Sequence, residues 1–272
     1  MKAHSKLRPM VLFSSILLIL FNINDAEASY IAKPNKATIQ ITPEAGYYKY
    51  EEPNIMQLKG PLIALSSEFF MPISNGFYFR LFLRGAYNFG DYSSNGSGTQ
   101  DNDNSWFVNI SPTIAYQFSF KIKMSLIPYI GIGYRYLNND SSGEFTTTGH
   151  YSYLRESNYI YLPIGLNYII GTHNSWAYRF QIEYDQLIRG YQYSHLRSSD
   201  GGTIQNIQTK GYGLNAKIEF ATKISHTTTF GFGPYIYYWS IPNSEGSQFG
   251  NVTYIEPKNN TIDAGLFINF TF

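Results

Sequence analysis

The sequence predicts an all-β protein, a transmembrane antiparallel up-and-down β-barrel of most likely ten strands. Three observations predict it. Apolar and polar residues alternate with period two through repeated stretches of roughly 10 to 14 residues, as in a strand with two unlike faces. The connections between these stretches are alternately short and long. The composition is lean in charge (14%) and rich in aromatics (18%), with 25 Tyr, 20 Phe and no Cys in 272 residues. Such a chain suits a wall that meets lipid on one side and water on the other. Its 20 basic and 19 acidic side chains exclude a nucleic-acid binder, which needs an excess of Lys and Arg. A mean hydropathy of -0.24 excludes a helical membrane bundle, whose every span needs about 20 mostly apolar residues.

Taken in chain order, the first element is a secretory signal. Lys2, Lys6 and Arg8 precede an apolar run over 10–21, and Ala26-Glu27-Ala28 supplies the small residues a signal peptidase reads. The run contains Ser14 and Ser15 and is too short to cross roughly 30 Å of hydrocarbon. Residues 1–28 are therefore assigned to a signal peptide and 29–272 to one barrel domain, with no linker. Without Cys there is neither a disulfide framework nor a thiolate site, so backbone hydrogen bonding and packing must supply stability.

The alternation begins at Thr38. Long polar connections are predicted near 51–60, 90–104, 138–157, 190–208 and 243–260, and short ones near 73–76, 120–123, 171–174 and 225–227. Between them, Trp106, Val108, Ile110, Pro112, Ile114, Tyr116 and Phe118 oppose Asn109, Ser111, Thr113, Ala115, Gln117 and Ser119. Ile130, Ile132 and Tyr134 oppose Tyr129, Gly131, Gly133 and Arg135. The clearest strand is 175–185, where Trp176, Tyr178, Phe180, Ile182 and Tyr184 oppose Ala177, Arg179, Gln181, Glu183 and Asp185. Leu214, Ala216, Ile218 and Phe220 oppose Asn215, Lys217 and Glu219. The final stretch sets Ile262, Ala264, Leu266, Ile268, Phe270 and Phe272 against Asp263, Gly265, Asn269 and Thr271. Long loops at one end and short turns at the other mark a transmembrane barrel rather than a soluble sandwich.

A Lys or Arg facing lipid near the midplane costs about 2 to 4 kcal/mol, so the charged member of each alternation must point inward. That places Arg80, Arg84, Arg135, Arg179 and Lys217 in the lumen with Glu44, Glu68, Glu183, Asp185, Glu219 and Asp263. Opposite charges in a narrow lumen are expected to pair. About eight strands leave an interior that side chains just fill, and roughly 16 to 18 leave a channel, so ten imply a plugged or very narrow lumen. A structural salt-bridge network is the expectation and a narrow passive channel the alternative. Tyr47, Tyr87, Trp106, Tyr136, Trp176, Tyr184 and Tyr238 are expected to form the two interfacial girdles.

Ending on Phe272, with Phe270 and Phe267 before it, the last strand resembles the C-terminal signal of bacterial outer-membrane barrels, which implies recognition by the assembly machinery of that class. Four segments carry a narrower likeness: Glu52-Pro53, the run 131–138 (Gly-Ile-Gly-Tyr-Arg-Tyr-Leu-Asn), the run 156–165 (Glu-Ser-Asn-Tyr-Ile-Tyr-Leu-Pro-Ile-Gly) and the run 256–261 (Glu-Pro-Lys-Asn-Asn-Thr). They resemble a family of poorly characterised proteobacterial outer-membrane β-barrel proteins. The likeness implies residence in the outer membrane among lipid and lipopolysaccharide, long loops outside and short turns in the periplasm, and brings no activity. A monomer is expected.

Ten strands with long outside loops also resemble the omptins, surface proteases that use an acidic pair in the second loop and an Asp/His pair in the fourth to polarise a water. That likeness points to Asp101 and Asp103 and to His195 and Asp200, but the closely spaced Asp-x-His of the fourth loop is missing. His150-Tyr151-Ser152 resembles the His-x-Ser pair of outer-membrane phospholipase A and lipid A deacylases, with Tyr153 where those families usually place Asn. Asp101, Asp103, Asp140, Glu144 and Glu156 offer hard oxygen ligands for surface cations. No phosphate loop, His-rich metal cluster or nucleotide fingerprint is found, so no cofactor and no metal are assigned. The reading that results is a non-enzymatic surface or structural barrel.

Overall fold

The computed structural model describes residues 36–121, 124–171, 176–196 and 202–272. The signal assigned to 1–28 lies outside the described residues. Ten long strands form the wall: β1 (Thr38–Glu52), β2 (Met56–Ser74), β3 (Phe77–Asn88), β4 (Ser105–Tyr116), β5 (Met124–Gly131 and Gly133–Asp140, one run interrupted at Ile132), β6 (Leu154–Gly171), β7 (Trp176–His195), β8 (Tyr212–Lys223), β9 (Thr229–Ile241) and β10 (Asn259–Thr271). Each pairs antiparallel with the next, and β10 returns to β1 with Gln40 opposite Thr271 and Glu51 opposite Asn260. Ile39 and Phe272 complete the seam with two backbone hydrogen bonds of 3.2 and 2.9 Å. Closure matters because hydrocarbon offers no partner to an unpaired backbone N–H or C=O.

Side-chain alternation follows the predicted faces. On β7, Ala177, Glu183, Asp185 and Leu187 are buried, whereas Trp176, Phe180, Ile182 and Tyr184 are exposed. Ile182 and Leu266 expose 60% and 67% of their surface. A whole wall of such residues would be an aggregation hazard in water and is what hydrocarbon requires. Aromatic rings edge this belt at both ends. Trp106 meets Tyr136 at 5.2 Å and Tyr184 meets Tyr212 at 6.2 Å toward the long loops; Phe77 meets Tyr116 at 4.7 Å and Phe230 meets Phe270 at 5.5 Å toward the short turns.

The β2–β3 turn has a local cause. Asn75 (φ 47°) and Gly76 (φ 89°) both take positive φ, the conformation that a two-residue hairpin turn matching strand twist demands and that Asn-Gly adopts readily.

One expectation about the wall is corrected. The connection predicted over 51–60 is a three-residue turn, because the β1–β2 ladder runs on until Glu52 faces Met56. Past the lipid boundary an outward position need not be apolar, so Lys49 and Lys59 stand opposite each other with no hydropathy signal to mark the strand. Of the three phenylalanines of the C-terminal signal, Phe267 points inward and is 4% exposed, while Phe272 is 53% exposed. Its place in the alternation, between Leu266 and Ile268 on the lipid side, puts its ring over the lumenal Lys217 ammonium at 5.6 Å.

Candidate functional site

Inside the barrel the charged residues stack in layers. Arg84 donates from Nε to Glu44 Oε2 at 2.8 Å and forms an ion pair with Asp263 (Nη2–Oδ2 2.7 Å), and Lys217 approaches Glu44 at 3.4 Å. Ser66 donates to the same Glu44 carboxylate at 2.7 Å. Arg80 pairs with Glu68 and lies 3.9 Å from Glu183, and Arg179 lies between Glu68 (3.6 Å) and Glu219 (3.4 Å). Asp185 is held by Asn215, which donates to it at 2.7 Å and to Glu183 at 2.9 Å. Among the described residues Arg135 has no ion pair; its guanidinium lies over Phe107 at 5.0 Å and Trp239 at 5.5 Å. Cation–π stacking thus replaces the carboxylate expected for that side chain. Two cavities beside the network hold about 20 and 10 Å³, room for a water or two.

Toward the long loops an apolar plug crosses the lumen. Tyr48, Leu62, Ala86 and Phe107 form one cluster and Tyr159, Tyr161, Leu187, Trp239 and Ile241 another, with Leu137 packed against both. Trp239 stacks on Tyr159 at 6.2 Å and meets Tyr161 edge-on at 5.3 Å. Glycine makes this packing possible where Gly133 lies under the Tyr161 ring, and in the separate cluster of Tyr78, Ala115 and Tyr129 Gly165 lies under the Tyr129 ring in the same way.

Above the plug opens a vestibule of about 460 Å³. Arg155 spans its floor, donating from Nη2 to Glu52 Oε1 (2.7 Å) and Glu256 Oε1 (2.6 Å). Tyr50 donates to the same two oxygens at 3.0 and 3.3 Å. Asp103 lies in the wall, 5% exposed, accepting from Asn139 Nδ2 at 2.5 Å and from Ser141. Burial holds the carboxyls of Asp103 and Glu256 above their ordinary range; hydrogen bonds from Ser141 and Asn139 partly offset this for the first, and the Arg155 charge for the second. Sequence reasoning missed Glu52, Arg155 and Glu256. The only hint was two Glu-Pro pairs, Glu52-Pro53 and Glu256-Pro257, in segments noted for their family likeness.

The residues suggested by the omptin likeness do not assemble. Asp101 is exposed on its loop, and Asp103 points into the vestibule. His195 is on the opposite face of the wall: Ser194 lines the vestibule, so its neighbour faces out. There His195 Nε2 meets Glu156 Oε2 at 2.8 Å and Nδ1 meets Thr203 Oγ1 at 3.0 Å. Asp200 lies outside the described residues. His150 Nδ1 contacts Thr148 Oγ1 at 2.9 Å and Ser152 donates to Gln100, so the two side chains of the His-x-Ser run serve different partners. Among the described residues no group of three or more His, Asp and Glu is placed to hold a metal.

No protein-family model and no curated protein matches the chain. Solved structures do. The outer membrane protease OmpT from Escherichia coli superposes with a TM-score of 0.62 at 8% identity, covering 88% of this chain and 98% of that one. An outer membrane channel from Pseudomonas putida F1 (TM-score 0.41, 10% identity, 92% and 100% covered) and the β domain of the Bordetella autotransporter BrkA (0.43, 11%, 88% and 99%) also match. At such identities the likeness is one of fold. With an unbroken strand ring, an apolar outer belt and aromatic girdles, the chain is a ten-stranded β-barrel of the kind found in bacterial outer membranes.

Proposed function

We propose that this protein is a plugged outer-membrane barrel with a non-enzymatic surface role, working through its extracellular loops and the vestibule they enclose. The observation that carries the reading is the apolar plug around Leu137, Trp239 and Tyr161, backed by the ion-paired layers beneath it. An ion crossing that layer would have to shed its water among Tyr, Leu and Trp side chains, and a desolvated charge is costly. The separation of Asp103 from His195 supports the non-enzymatic part, since a water cannot be polarised jointly by groups on opposite faces of the wall. In this reading lipid and lipopolysaccharide surround the barrel, the assembly machinery recognises the strand that ends in Phe270 and Phe272, and the protein works as a monomer.

The test is conductance. Refolded protein in planar bilayers is expected to give no stable current steps, and steady open channels would establish the narrow passive pore instead. Cleavage of a basic-residue peptide by the refolded protein, abolished by Asp103→Ala and by His195→Ala, would overturn the non-enzymatic assignment.

A further inference from the structure

We propose that the outside loops form a cap of two leaves that closes over the vestibule, and that Arg155 is the bolt holding the leaves together. The proposal rests on the surface role given above and deepens it by assigning a conformational control to the same cavity.

Hydrogen bonds between loops distant in sequence build each leaf. In the first leaf, the short strands Asp91–Ser94 and Gly98–Gln100 of the second loop extend β2, with Met56 opposite Ser94 and Tyr92 opposite Gln100. The third loop closes on their free edge: Thr147 N donates to Thr99 O at 2.8 Å, Thr99 N to Thr147 Oγ1 at 3.0 Å and Thr148 Oγ1 to Ser97 O at 2.7 Å. In the second leaf, Thr203–Gln208 of the fourth loop pairs with β7, and the fifth loop is fastened to it. Glu245 N donates to Ile207 O at 2.9 Å, and Asn206 Nδ2 donates to Glu245 O at 3.3 Å and to Tyr254 O at 3.0 Å. Each leaf thus satisfies the backbone of its own edge strand, and none of these bonds has to break for the two leaves to part.

The vestibule lies between them. Tyr92, Ser97 and Thr146 line it from the first leaf, and Ile204, Tyr254 and Ile255 from the second. On one side the leaves share a root, the β6–β7 ladder, which runs up to Leu154 opposite His195. Halfway round the ring stands the β1–β2 turn, too short to bridge them. Arg155, at the foot of the third loop, reaches across from β6 to that side, its Nη2 donating to Glu52 Oε1 at 2.7 Å and to Glu256 Oε1 at 2.6 Å. Glu256 is tied into the second leaf by its own backbone, which exchanges bonds with Ser244 at 2.9 and 2.8 Å. The ion pair therefore joins leaf to leaf.

Charge compensation makes it a bolt. Glu52 and Glu256 are both buried, and both present Oε1 to one guanidinium nitrogen and to the Tyr50 hydroxyl. Two carboxylates so placed coexist while a cation lies between them; without it, repulsion and desolvation drive one of them into water. Glu52 ends a strand held in the β1–β2 ladder, whereas Glu256 rides on a loop. Glu256 is the one that leaves, and its leaf goes with it.

The chain contains no Cys, so paired spin labels report introduced positions alone. Ser142→Cys with Asn251→Cys puts one label on each leaf, and Gly96→Cys with Ser142→Cys puts both on the first; all three positions are exposed. Distances are read by pulsed electron paramagnetic resonance on the full chain refolded into lipid vesicles. Arg155→Met is expected to lengthen the cross-leaf distance by more than about 2 Å and to broaden it, with the within-leaf distance unchanged. Adding Glu256→Gln removes the repulsion and is expected to return the cross-leaf distance toward the parent value. Folding is verified by heat-modifiable migration. Should Arg155→Met not fold, Glu256→Lys, which sets an ammonium against the guanidinium from a loop, carries the test with the same expected lengthening. A cross-leaf distance unmoved in the folded variant, equal lengthening of both pairs, or no return in the double variant overturns the proposal. Bilayer current tests the plugged reading apart from this. Steady current through a parent whose cap moves as described refutes the plug alone, and a silent parent whose cap does not move refutes this proposal alone.

Discussion

Gly133 faces Tyr161 across the β5–β6 ladder so closely that a Cβ on the glycine would stand 2.1 Å from Tyr161 Cζ. The ring cannot swing away, because Trp239 meets it edge-on and the tyrosine is only 2% exposed. Gly133→Ala is therefore expected to lower stability by about 1 to 3 kcal/mol, the usual range for overpacking a filled interior. Thermal unfolding followed by heat-modifiable migration reads this directly. Gly85→Ala, where nothing lies within 4 Å of an added Cβ, is the control and should change little.

Glu44 serves two cations, Arg84 and Lys217. Glu44→Gln leaves Lys217 without a carboxylate within ion-pair reach among the described residues and Arg84 with Asp263 alone, an uncompensated buried charge worth about 3 to 5 kcal/mol of destabilisation. Adding Lys217→Met removes the stranded cation while keeping apolar contact with Phe82, Tyr237 and Phe267. The double variant is expected to recover about 1 to 3 kcal/mol relative to additivity. Urea unfolding in lipid vesicles, followed by tryptophan fluorescence, measures the cycle; strict additivity would mean that the two side chains are not coupled.

The wall was legible because lipid enforces a rule: every outward position on Trp176, Phe180, Ile182 and Tyr184 must be apolar, so hydropathy and geometry share one period. Above the membrane the rule lapses. β7 continues to His195 and the ladder resumes over Thr203–Gln208, yet the outward side chains there are Tyr193 and His195, and the sequence reads as loop. The same lapse hid the candidate site. Glu52, Arg155 and Glu256 come from β1, β6 and the loop before β10, and nothing local to any of them signals that barrel closure brings them to one guanidinium. Phe267 shows the rule at work inside the membrane: apolar by type, it still points inward, as its position between Leu266 and Ile268 in the alternation requires.

Trp239 joins three parts of the plug, contacting Tyr159, Tyr161 and the Arg135 guanidinium. Trp239→Ala deletes the largest ring of the layer and exposes Arg135 on that side. Brief, small conductance events absent from the parent protein are expected in planar bilayers, together with about 3 to 5 kcal/mol of lost stability. Ile182→Val, on the lipid side, should leave the bilayer silent. Conductance unchanged by Trp239→Ala would move the barrier from the aromatic layer to the charge network below it.

Asp103 sets the sign of a pH effect. Burial raises its carboxyl above the ordinary aspartate range, and the hydrogen bonds from Ser141 and Asn139 only partly counter this. The folded protein therefore holds that proton more tightly than the unfolded chain does. Stability from this group is greatest below the ordinary aspartate pKa of 3.8 and falls as pH rises from there through the elevated folded value, above which the ionised form remains a constant penalty. Asp103→Asn keeps an oxygen for Ser141 and Asn139 and removes the charge. The variant is expected to equal or exceed the parent in thermal stability at pH 7, with its advantage shrinking as pH falls through the mildly acidic range. Melting curves at matched ionic strength from pH 4 to pH 7 decide it: an Asn variant that loses stability at pH 7 and regains it in acid would show that the ionised carboxylate stabilises the fold, reversing the sign assigned to burial.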